Sequence, residues 1–390
     1  MATNPEHLNT TPTVETEDDG LRIHWGSGGS NFYHYFWLRS ACHCDACGDS
    51  YTGHRRLHPS DVPVDIEPQS IEEAADHLGI DWPDGHASTY AWEWLRDFAY
   101  DDPARDWSPS LWDGSLDPAQ ISHNLEAVQA SQSDYLAFLR TLRDYGIAVI
   151  RAQDAIGIEA MAGLIGQLAT AAYSPVFELK PQKTAHTLGN STQVVPPHTD
   201  ESYLHTPTGV LVLYCIQPAS DGGESVMVDG FSIAEQLRAK DPDAFDVLSR
   251  VPMANHRIVP DAGLEHRTRC RALNVDERGR LVGFRFHPRS MAPIDTPGDL
   301  AKQLHQANAE LCRLMFDEGN QLEFQLEAGD AVFFDNHRVM HSRQGFSDLD
   351  RHLQICNVSR ETFHQKLRLT LREQGQLDEL RLRLPAGVSG

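Results

Sequence analysis

Apolar and polar residues alternate along this chain with two different periods, which predict strands in some stretches and helices in others. Residues 21–25 alternate with the two-residue period of a strand, and residues 32–38 are predicted as an aromatic-rich strand. Residues 68–79 carry apolar side chains at helical spacing, and residues 90–95 are predicted as another short helix. Residues 21–120 are therefore expected to form a small N-terminal domain that ends in a linker rich in Asp, Pro and Trp.

Residues 121–390 are expected to form one larger domain that consists mainly of short strands. A helix is predicted at 134–143, a buried strand at 147–150 and a second helix at 160–168. Further strands are predicted at 210–215, 225–228, 281–286, 322–326, 331–334 and 353–358, and helical inserts at 233–239, 245–248 and 300–316. This pattern is typical of a double-stranded β-helix, or jelly roll, so the expected fold class is mainly β with helical inserts (α+β).

The charge balance narrows the choice of partners. The chain has 56 acidic residues against 33 Lys and Arg, a formal net charge of −23, so a nucleic-acid partner is not expected. No run of about 18 apolar residues occurs, and no membrane-spanning helix is expected. Residues 1–20 lack the basic-then-apolar order of a signal peptide and are expected to be a disordered tail, which favours a cytoplasmic location.

His198 and Asp200 place an imidazole and a carboxylate two positions apart. On an extended backbone, side chains at i and i+2 point to the same face, so the two groups converge on one point. A second histidine would complete the 2-His-1-carboxylate set that binds Fe(II) and leaves metal positions open. His341 is the candidate, with His337 as its competitor, and Arg351 follows with a planar guanidinium suited to a carboxylate.

The cysteines suggest a second metal site near the N-terminus. The clustered ones are Cys42, Cys44 and Cys47. In a cytoplasmic protein such a cluster binds metal more often than it forms disulfides, and three thiolates can hold tetrahedral Zn²⁺ if a fourth ligand joins them. The histidines nearest in sequence are His43, His54 and His58. The alternative is three reduced cysteines without a metal.

Several short segments carry a resemblance that covers most of the chain. They are His198-Thr199-Asp200, Pro207-Thr208-Gly209-Val210, Gly222-Gly223-Glu224-Ser225, Val228-Asp229-Gly230-Phe231, Phe334-Asp335-Asn336, His341-Ser342-Arg343 and Arg351-His352-Leu353. Together they resemble the gamma-butyrobetaine hydroxylase branch of the Fe(II)/2-oxoglutarate-dependent dioxygenases, which is related to taurine dioxygenase. The N-terminal third matches this branch as well. The resemblance therefore indicates the branch, and it does not identify the substrate.

The resemblance implies an iron site made of His198, Asp200 and His341. It favours His341 over His337, because only His341 has the family's spacing to Arg351. Oxygen and 2-oxoglutarate are the implied co-substrates. Members of the family couple decarboxylation of 2-oxoglutarate to succinate with hydroxylation of an unactivated C–H bond.

The resemblance also implies the residues around the co-substrate and the zinc. Arg351 should hold the distal carboxylate of 2-oxoglutarate, with a hydrogen bond from Ser225. An ion pair of Arg351 with Asp348 or Asp350 at the surface is the alternative. His86 is the implied fourth zinc ligand, in a closed structural site. The family tends to dimerise, and residues 361–382 could contribute to such an interface.

The substrate pocket is where the sequence departs from the family. Butyrobetaine enzymes hold a trimethylammonium group in an aromatic cage by cation–π attraction. The aligned positions are Tyr173, Phe177, Asn190, Glu201 and Asn357. Most of the cage is therefore missing, and Glu201 could pair with a cationic head instead. His287 or Arg289 could bind an anionic end of the substrate, while core packing of the two aromatics and a surface Arg289 are the alternatives.

The sequence thus predicts an Fe(II)- and 2-oxoglutarate-dependent dioxygenase with an N-terminal zinc module. Its expected substrate is a small cationic or zwitterionic amine, such as gamma-butyrobetaine, a trimethylammonium phosphonate, trimethyllysine or another amino-acid-like compound. Two rival hypotheses are a jelly-roll binding or regulatory protein that has lost turnover, and a zinc-finger nucleic-acid binder. The intact triad with Arg351 disfavours the first rival, and the acidic charge disfavours the second.

Overall fold

The computed structural model describes residues 12–26, 28–49, 51–102, 105–169, 174–182, 187–260 and 263–384. It divides into two compact units. The first runs to Asp106 and also contains Arg381–Arg383, and the second runs from Trp107 to Leu380 with Leu384. Residues 107–120, which the sequence assigns to a linker, belong to the second unit in this division.

In the part of the chain that the structure describes, the first unit contains two three-stranded antiparallel sheets and two α-helices. Its elements are β1 (Thr13–Glu17), β2 (Gly20–His24), β3 (Ser30–His34), α1 (Tyr35–Ala41), β4 (Ser70–Glu73), β5 (His77–Asp81), β6 (Ala87–Ala91) and α2 (Trp92–Asp97). The sheet orders are β1-β2-β3 and β4-β5-β6. Alternate strand residues such as Leu21, Ile23, Leu78 and Ile80 are buried, and they form a core of their own.

Three predictions for this unit are wrong. The tail expected at 1–20 contains β1, which pairs with β2, while residues 1–11 lie outside the described residues. The strand expected at 32–38 ends at His34, where the chain enters α1. The helix expected at 68–79 is the β4–β5 hairpin. Its apolar spacing mimics a helix because Ala74 and Ala75 lie in the turn, so residues on two different strands appear evenly spaced.

In the part of the chain that the structure describes, the second unit has two larger sheets, two two-stranded sheets and a set of covering helices. Its strands are β7 (Ser122–Asn124), β8 (Ile147–Arg151), β9 (Val176–Leu179), β10 (Val195–His198), β11 (Val210–Gln217), β12 (Ser225–Asp229), β13 (Met253–Val259), β14 (Leu264–Cys270), β15 (Leu273–Val275), β16 (Leu281–Phe284), β17 (Leu322–Phe324), β18 (Ala331–Asp335), β19 (Val339–Arg343) and β20 (His352–Val358). Its helices are α3 (Leu125–Ala130), α4 (Gln132–Tyr145), α5 (Ile158–Ala162), α6 (Gly230–Lys240), α7 (Pro242–Arg250), α8 (Asp299–Phe316), α9 (Arg360–Glu373) and α10 (Leu377–Leu380).

The two larger sheets form the jelly roll. One has the order β7-β8-β18-β11-β20-β9 and the other β10-β19-β12-β17. Strand alternation gives each sheet an inner and an outer apolar face. Phe334 and Leu211 pack with Met227 and Val339 between the sheets. Phe333, next to Phe334, points the other way, into the core under α4, α5 and α9, while α6, α7 and α8 cover the second sheet.

Most predicted elements of this unit are confirmed, including α4, β8, β11, β12, β18 and β20. The helix expected at 160–168 is shorter, since α5 ends at Ala162. The β13–β14 ribbon is absent from the sequence analysis, because its strands carry charged residues such as Arg257 and Arg267 and show no apolar run. None of the described helices is long and apolar enough to cross a bilayer.

Candidate metal centre and co-substrate pocket

His198, Asp200 and His341 come together at one edge of the smaller sheet. His198 ends β10 and lies directly opposite His341 on the antiparallel neighbour β19. Their Nε2 atoms are 3.3 and 3.8 Å from the two oxygens of Asp200, and the three ligand atoms all lie within 4.8 Å of one another. This spacing fits one metal ion, and three protein ligands leave metal positions open for other molecules.

The hydrogen bonding of His198 and the pKa shifts of His341 and Asp200 also fit a divalent metal. The Nδ1–H of His198 donates to the Pro196 carbonyl at 2.9 Å, which leaves the lone pair of Nε2 for the metal. Burial, followed by the neighbouring His198, lowers the pKa of His341 to about 3. Burial opposes ionisation of Asp200, yet His341 and His198 hold the pKa of that carboxyl well below its ordinary value. His341 is therefore neutral and Asp200 ionised, the forms that bind a divalent metal.

Asn336, in the turn between β18 and β19, fixes the backbone of Asp200. Its Oδ1 accepts from the Asp200 N–H at 2.7 Å, and its Nδ2 donates to the Asp200 carbonyl at 3.1 Å. The same Nδ2 lies 2.9 Å from the hydroxyl of Thr208. The buried amide thus replaces the strand partner that Asp200 lacks. Asn336 precedes His341 by five residues, so it connects the two ligand-bearing segments.

The chain turns sharply directly after Asp200. Glu201 has φ = 55°, and it is the only described non-glycine residue with a positive φ. Such a conformation is unfavourable for a residue with a side chain and persists where the surroundings enforce it. The backbone therefore bends at Glu201, directly after Asp200. Glu201 is 7% exposed, so its side chain does not face open solvent.

Arg351 lies in a cavity with an empty volume of about 210 Å³ at the end of β12. The lining residues are Cys215, Pro218, Ala219, Gly223, Ser225, Gln325, Leu326, Arg351 and Leu353. Arg351 is 4% exposed, and burial lowers its pKa to about 10. It donates to the Gly223 carbonyl at 3.3 Å, and its guanidinium lies 5.1 Å from the centre of the Phe346 ring.

The surface ion pair considered for Arg351 is not formed. Asp348 instead accepts hydrogen bonds from the backbone N–H groups of Ser220 and Asp350. No carboxylate within the described ranges forms an ion pair with Arg351. A buried guanidinium whose polar protein partner is a carbonyl is poised to bind an external anion.

Gly223 makes room for Arg351. Its φ is +75°, and a Cβ at this position would lie 3.0 Å from Nε of Arg351. The Gly222-Gly223 pair therefore lets the backbone pass close to the guanidinium, with Ser225 two residues further along in the same cavity.

Arg343 was missed by the sequence analysis. It is buried, and its guanidinium donates to the carbonyls of Gly189, Ser191 and Gln193 at 3.1, 2.8 and 2.5 Å. It also lies 4.7 Å from the centre of the Phe346 ring, which contacts Arg351 as well. It thereby connects the loop around Asn190 to the cavity that contains Arg351. The only available signal was its place two residues after His341.

His287 and Arg289 are brought beside the triad. The ring centres of His287 and His198 are 4.6 Å apart, and His287 Nδ1 is 3.1 Å from the Thr199 carbonyl. Burial is the largest cause that lowers the pKa of His287, to about 2, and the proximity of His198 adds to it, so His287 is neutral. Arg289 Nη2 lies 3.2 Å from His198 Nε2.

The remaining residues that align with the aromatic cage of butyrobetaine enzymes lie in different surroundings from one another. Phe177 lies on β9 opposite Ile355, and Asn190 is buried with an Oδ1 that has no hydrogen-bond partner. Asn357 Oδ1 accepts from the Gly209 N–H at 2.8 Å. Tyr173 lies outside the described residues.

A second group of ligands is present in the first unit. The Nε2 atom of His86 lies 3.2, 3.6 and 3.5 Å from the sulfurs of Cys42, Cys44 and Cys47. These separations suit the corners of a tetrahedron around one zinc ion. His43, a competitor for the fourth position, instead stacks on Trp94 with ring centres 4.6 Å apart.

Arg39 supports this cluster from the side. It is 5% exposed, donates to Cys47 Sγ at 3.5 Å and pairs with Asp84 at 2.7 Å. Asp84 in turn accepts from the backbone N–H of His86 at 3.1 Å. Backbone N–H groups of Cys47 and Ala46 lower the pKa of Cys44 against the opposing effect of burial, which favours the thiolate form. The cluster thus contains donors next to the sulfurs of Cys44 and Cys47, whereas burial raises the pKa of the Cys42 thiol to about 11.

Two known protein families match different parts of this chain. Residues 114–357 match the family described as taurine catabolism dioxygenase TauD, TfdA family. Residues 13–96 match the family described as gamma-butyrobetaine hydroxylase-like, N-terminal. The first match contains the His198, Asp200 and His341 triad, and the second contains the cysteine cluster with His86.

Individual relatives are similar over nearly the whole chain. The gamma-butyrobetaine dioxygenase of Pseudomonas sp. (strain AK-1) is 28% identical over 88% of this chain and 91% of its own length. The mitochondrial trimethyllysine dioxygenase of Rattus norvegicus is 27% identical over 90% of this chain and 85% of its own. A solved taurine dioxygenase from Burkholderia xenovorans aligns with a TM-score of 0.48 and 17% identity, over 64% of this chain and 91% of that chain.

Proposed function

Because this chain belongs to the TauD/TfdA dioxygenase family, we propose that it hydroxylates an unactivated C–H bond of a small cationic or zwitterionic amine. The observation that carries this proposal is the convergence of the two histidines and the carboxylate at one edge of a jelly roll. The family membership and this intact triad support an enzyme over a jelly-roll protein without turnover.

We assign Fe(II) to His198, Asp200 and His341, with 2-oxoglutarate and O₂ as co-substrates. When bound, the metal supplies oxidative chemistry, in which 2-oxoglutarate is converted to succinate and CO₂ while one oxygen atom enters the substrate. Arg351 binds the distal carboxylate of 2-oxoglutarate, and Ser225 donates a hydrogen bond. Asn336 holds Asp200 in position, and the buried surroundings exclude bulk water.

The substrate class follows from the pocket residues and from the relatives. The relatives named above are a gamma-butyrobetaine and a trimethyllysine dioxygenase, which suggests an amine or betaine substrate here. Glu201, held beside the triad by its left-handed backbone, is the proposed partner of the cationic group. Phe177 and Asn190, with Asn357 and Tyr173, are the proposed pocket wall, and His287 is a candidate for the substrate's polar end.

Zinc is proposed at Cys42, Cys44, Cys47 and His86 as a structural ion. Four protein ligands leave no position for a substrate. Two of these ligands are also held by the Arg39–Asp84 ion pair: Arg39 donates to the sulfur of Cys47, and Asp84 accepts from the backbone N–H of His86.

We further propose that the enzyme acts as a cytoplasmic homodimer. Support comes from the C-terminal helices, where Leu369 and Leu377 are 42% and 46% exposed. Sedimentation of the purified protein tests the assembly, and Leu369→Glu should shift it towards the monomer. A monomeric parent protein would contradict the dimer.

A panel of amines and betaines tests the function. Each compound is incubated with Fe(II), 2-oxoglutarate and O₂, and both succinate release and a product mass gain of one oxygen atom are measured. We expect both signals for at least one member, and neither with His198→Ala. Absence of any Fe(II)-dependent succinate across the panel would contradict the proposal.

A further inference from the structure

Arg289 makes an unusual contact for an arginine beside a metal centre. Its Nη2 lies 3.2 Å from His198 Nε2, the same nitrogen that lies 3.3 Å from the Asp200 carboxylate. Since the Nδ1–H of His198 donates to Pro196, the lone pair on Nε2 accepts this hydrogen bond. This is also the lone pair that would bind the metal.

A metal and Arg289 cannot both use that lone pair. When a metal occupies it, the N–H of Arg289 needs a new acceptor close to its present position. Two positive charges are then neighbours, and an arginine cannot lose its proton to relieve the repulsion. An anionic group that contacts both the metal and the guanidinium satisfies both requirements.

The surroundings of Arg289 add further positive charge. The 3₁₀ turn Pro288–Ser290, which contains Arg289, adjoins β13, where Asn255 pairs with Met291 and accepts from the Ser290 hydroxyl at 3.2 Å. Burial is the largest cause that lowers the pKa of Arg289. The Asp200 carboxylate opposes this shift, and Arg257, further along β13, adds to it. A bound anion would be stabilised in these surroundings.

The chemistry of 2-oxoglutarate identifies the anion. It is a dicarboxylate whose keto-acid end binds the metal, and the other end is already matched by Arg351 in its own cavity. We propose that Arg289 binds the metal-bound carboxylate of 2-oxoglutarate, so that each end of the co-substrate has its own arginine. This inference rests on the proposed function and deepens it. A substrate carboxylate is a poorer candidate, since in direct contact with the metal it would occupy a position that oxygen needs.

The test measures 2-oxoglutarate binding without any amine substrate. Fe(II)-loaded protein is titrated anaerobically with 2-oxoglutarate, and the visible charge-transfer band of the complex gives the dissociation constant. Arg289→Gln should raise this constant about 10- to 100-fold, the expected loss for a charge-assisted hydrogen bond. Arg289→Lys should recover part of the loss. Metal affinity, measured separately by titration with Mn(II), should change less than about twofold.

Two further variants calibrate this experiment. Arg267→Ala removes an exposed arginine on β14 that pairs with Glu265, and it should bind 2-oxoglutarate like the parent protein. Arg351→Gln should bind 2-oxoglutarate weakly if the co-substrate pocket is assigned correctly. An unchanged constant in Arg351→Gln would contradict the proposed function at that pocket, independently of Arg289.

Three outcomes would overturn the inference about Arg289. Unchanged 2-oxoglutarate affinity in Arg289→Gln, with a raised KM for the amine, would make it a substrate residue. Unchanged 2-oxoglutarate affinity with weaker Mn(II) binding would make it a positioning residue for His198. An equal loss of 2-oxoglutarate and Mn(II) affinity with a lowered melting temperature in both Arg289 variants would indicate a structural role.

Discussion

The cysteine cluster and the histidine–aspartate triad make opposite use of similar ligands. Both bring together residues distant in sequence, and both have an arginine at their edge. In the cluster, Arg39 donates to Cys47 and pairs with Asp84, so its charge is satisfied within the protein. At the triad, Arg289 donates to the lone pair that a metal would take. The cluster is chemically closed, whereas the triad remains incomplete until external ligands arrive.

The number of protein ligands explains this difference. Four ligands complete a tetrahedron, and such a site stabilises a fold without reacting. Three ligands leave room for a co-substrate, and the positive charge around the triad favours an anionic one. The two sites therefore differ in the number of protein ligands and also in whether the neighbouring arginine already has an anionic partner within the protein.

Removing a triad ligand should have the largest effect on activity. Asp200→Ala deletes one of the three proposed metal ligands and the only negative one, so we expect succinate formation to fall below detection. The zinc content should stay near one per chain, because the cluster has its own ligands. Asp243→Ala, an exposed aspartate at the start of α7, is the control and should retain parental activity. Parental turnover in Asp200→Ala would contradict the assignment of the triad.

Removing proposed zinc ligands from the cysteine cluster should lower the stability of the protein. Cys44→Ser combined with His86→Ala removes two of four ligands, and we expect zinc, measured by elemental analysis, to fall from about one per chain to near zero. Since zinc binding contributes directly to folding, calorimetry should also show a lower melting temperature. The matched control is Cys312→Ser combined with His43→Ala, which leaves all four proposed ligands intact. Zinc content equal to that of the parent would reject the cluster.

Changing Asn336 should weaken the triad without removing any ligand. Asn336→Asp keeps the size of the side chain but replaces the donor that binds the Asp200 carbonyl with a second carboxylate. We expect metal affinity to fall about 10- to 100-fold, the range typical of groups that orient metal ligands. Mn(II) titration is the measurement, and Asn320→Asp, another buried asparagine, controls for general destabilisation. Equal losses in both variants would show that Asn336 has no special role.

The parts of the site that could be predicted are those with local motifs. His198 and Asp200 share one strand end, and the position of His341 followed from the family's spacing to Arg351. The proposed zinc ligand His86 came only from the resemblance, since a ligand about forty residues from the cysteines has no local signal. Strands such as β11 and β18 were also predictable, because burial on both faces requires an uninterrupted run of apolar residues, which is visible in the sequence.

The rest depends on contacts between distant segments. The roles of Asn336 and Arg343 rest on hydrogen bonds to backbone groups more than 130 residues away in sequence, which no periodicity reveals. The β13–β14 ribbon has polar residues on both faces, so its strands lack the alternation that marks a half-buried sheet. The β4–β5 hairpin was mistaken for a helix because a short turn preserved apparently helical spacing.

Glu201→Gln should have the smallest effect. It tests whether a carboxylate beside the triad binds the positively charged group of the substrate. The change removes one negative charge from a buried, left-handed position directly after Asp200 and keeps the size of the side chain. If Glu201 binds the ammonium group, KM for the amine should rise roughly tenfold, because one charge-assisted hydrogen bond is lost, while KM for 2-oxoglutarate stays unchanged.

The nature of the amine sharpens this last test. A primary or secondary ammonium donates hydrogen bonds to a carboxylate and should lose more affinity in Glu201→Gln than a quaternary ammonium, which has no N–H to donate. Steady-state kinetics with matched methylated and unmethylated substrates measures the difference. Glu265→Gln, an exposed glutamate on β14, is the matched control and should behave like the parent protein. Identical kinetics for Glu201→Gln and the parent would place the cation's partner elsewhere and leave the missing aromatic cage without its proposed replacement.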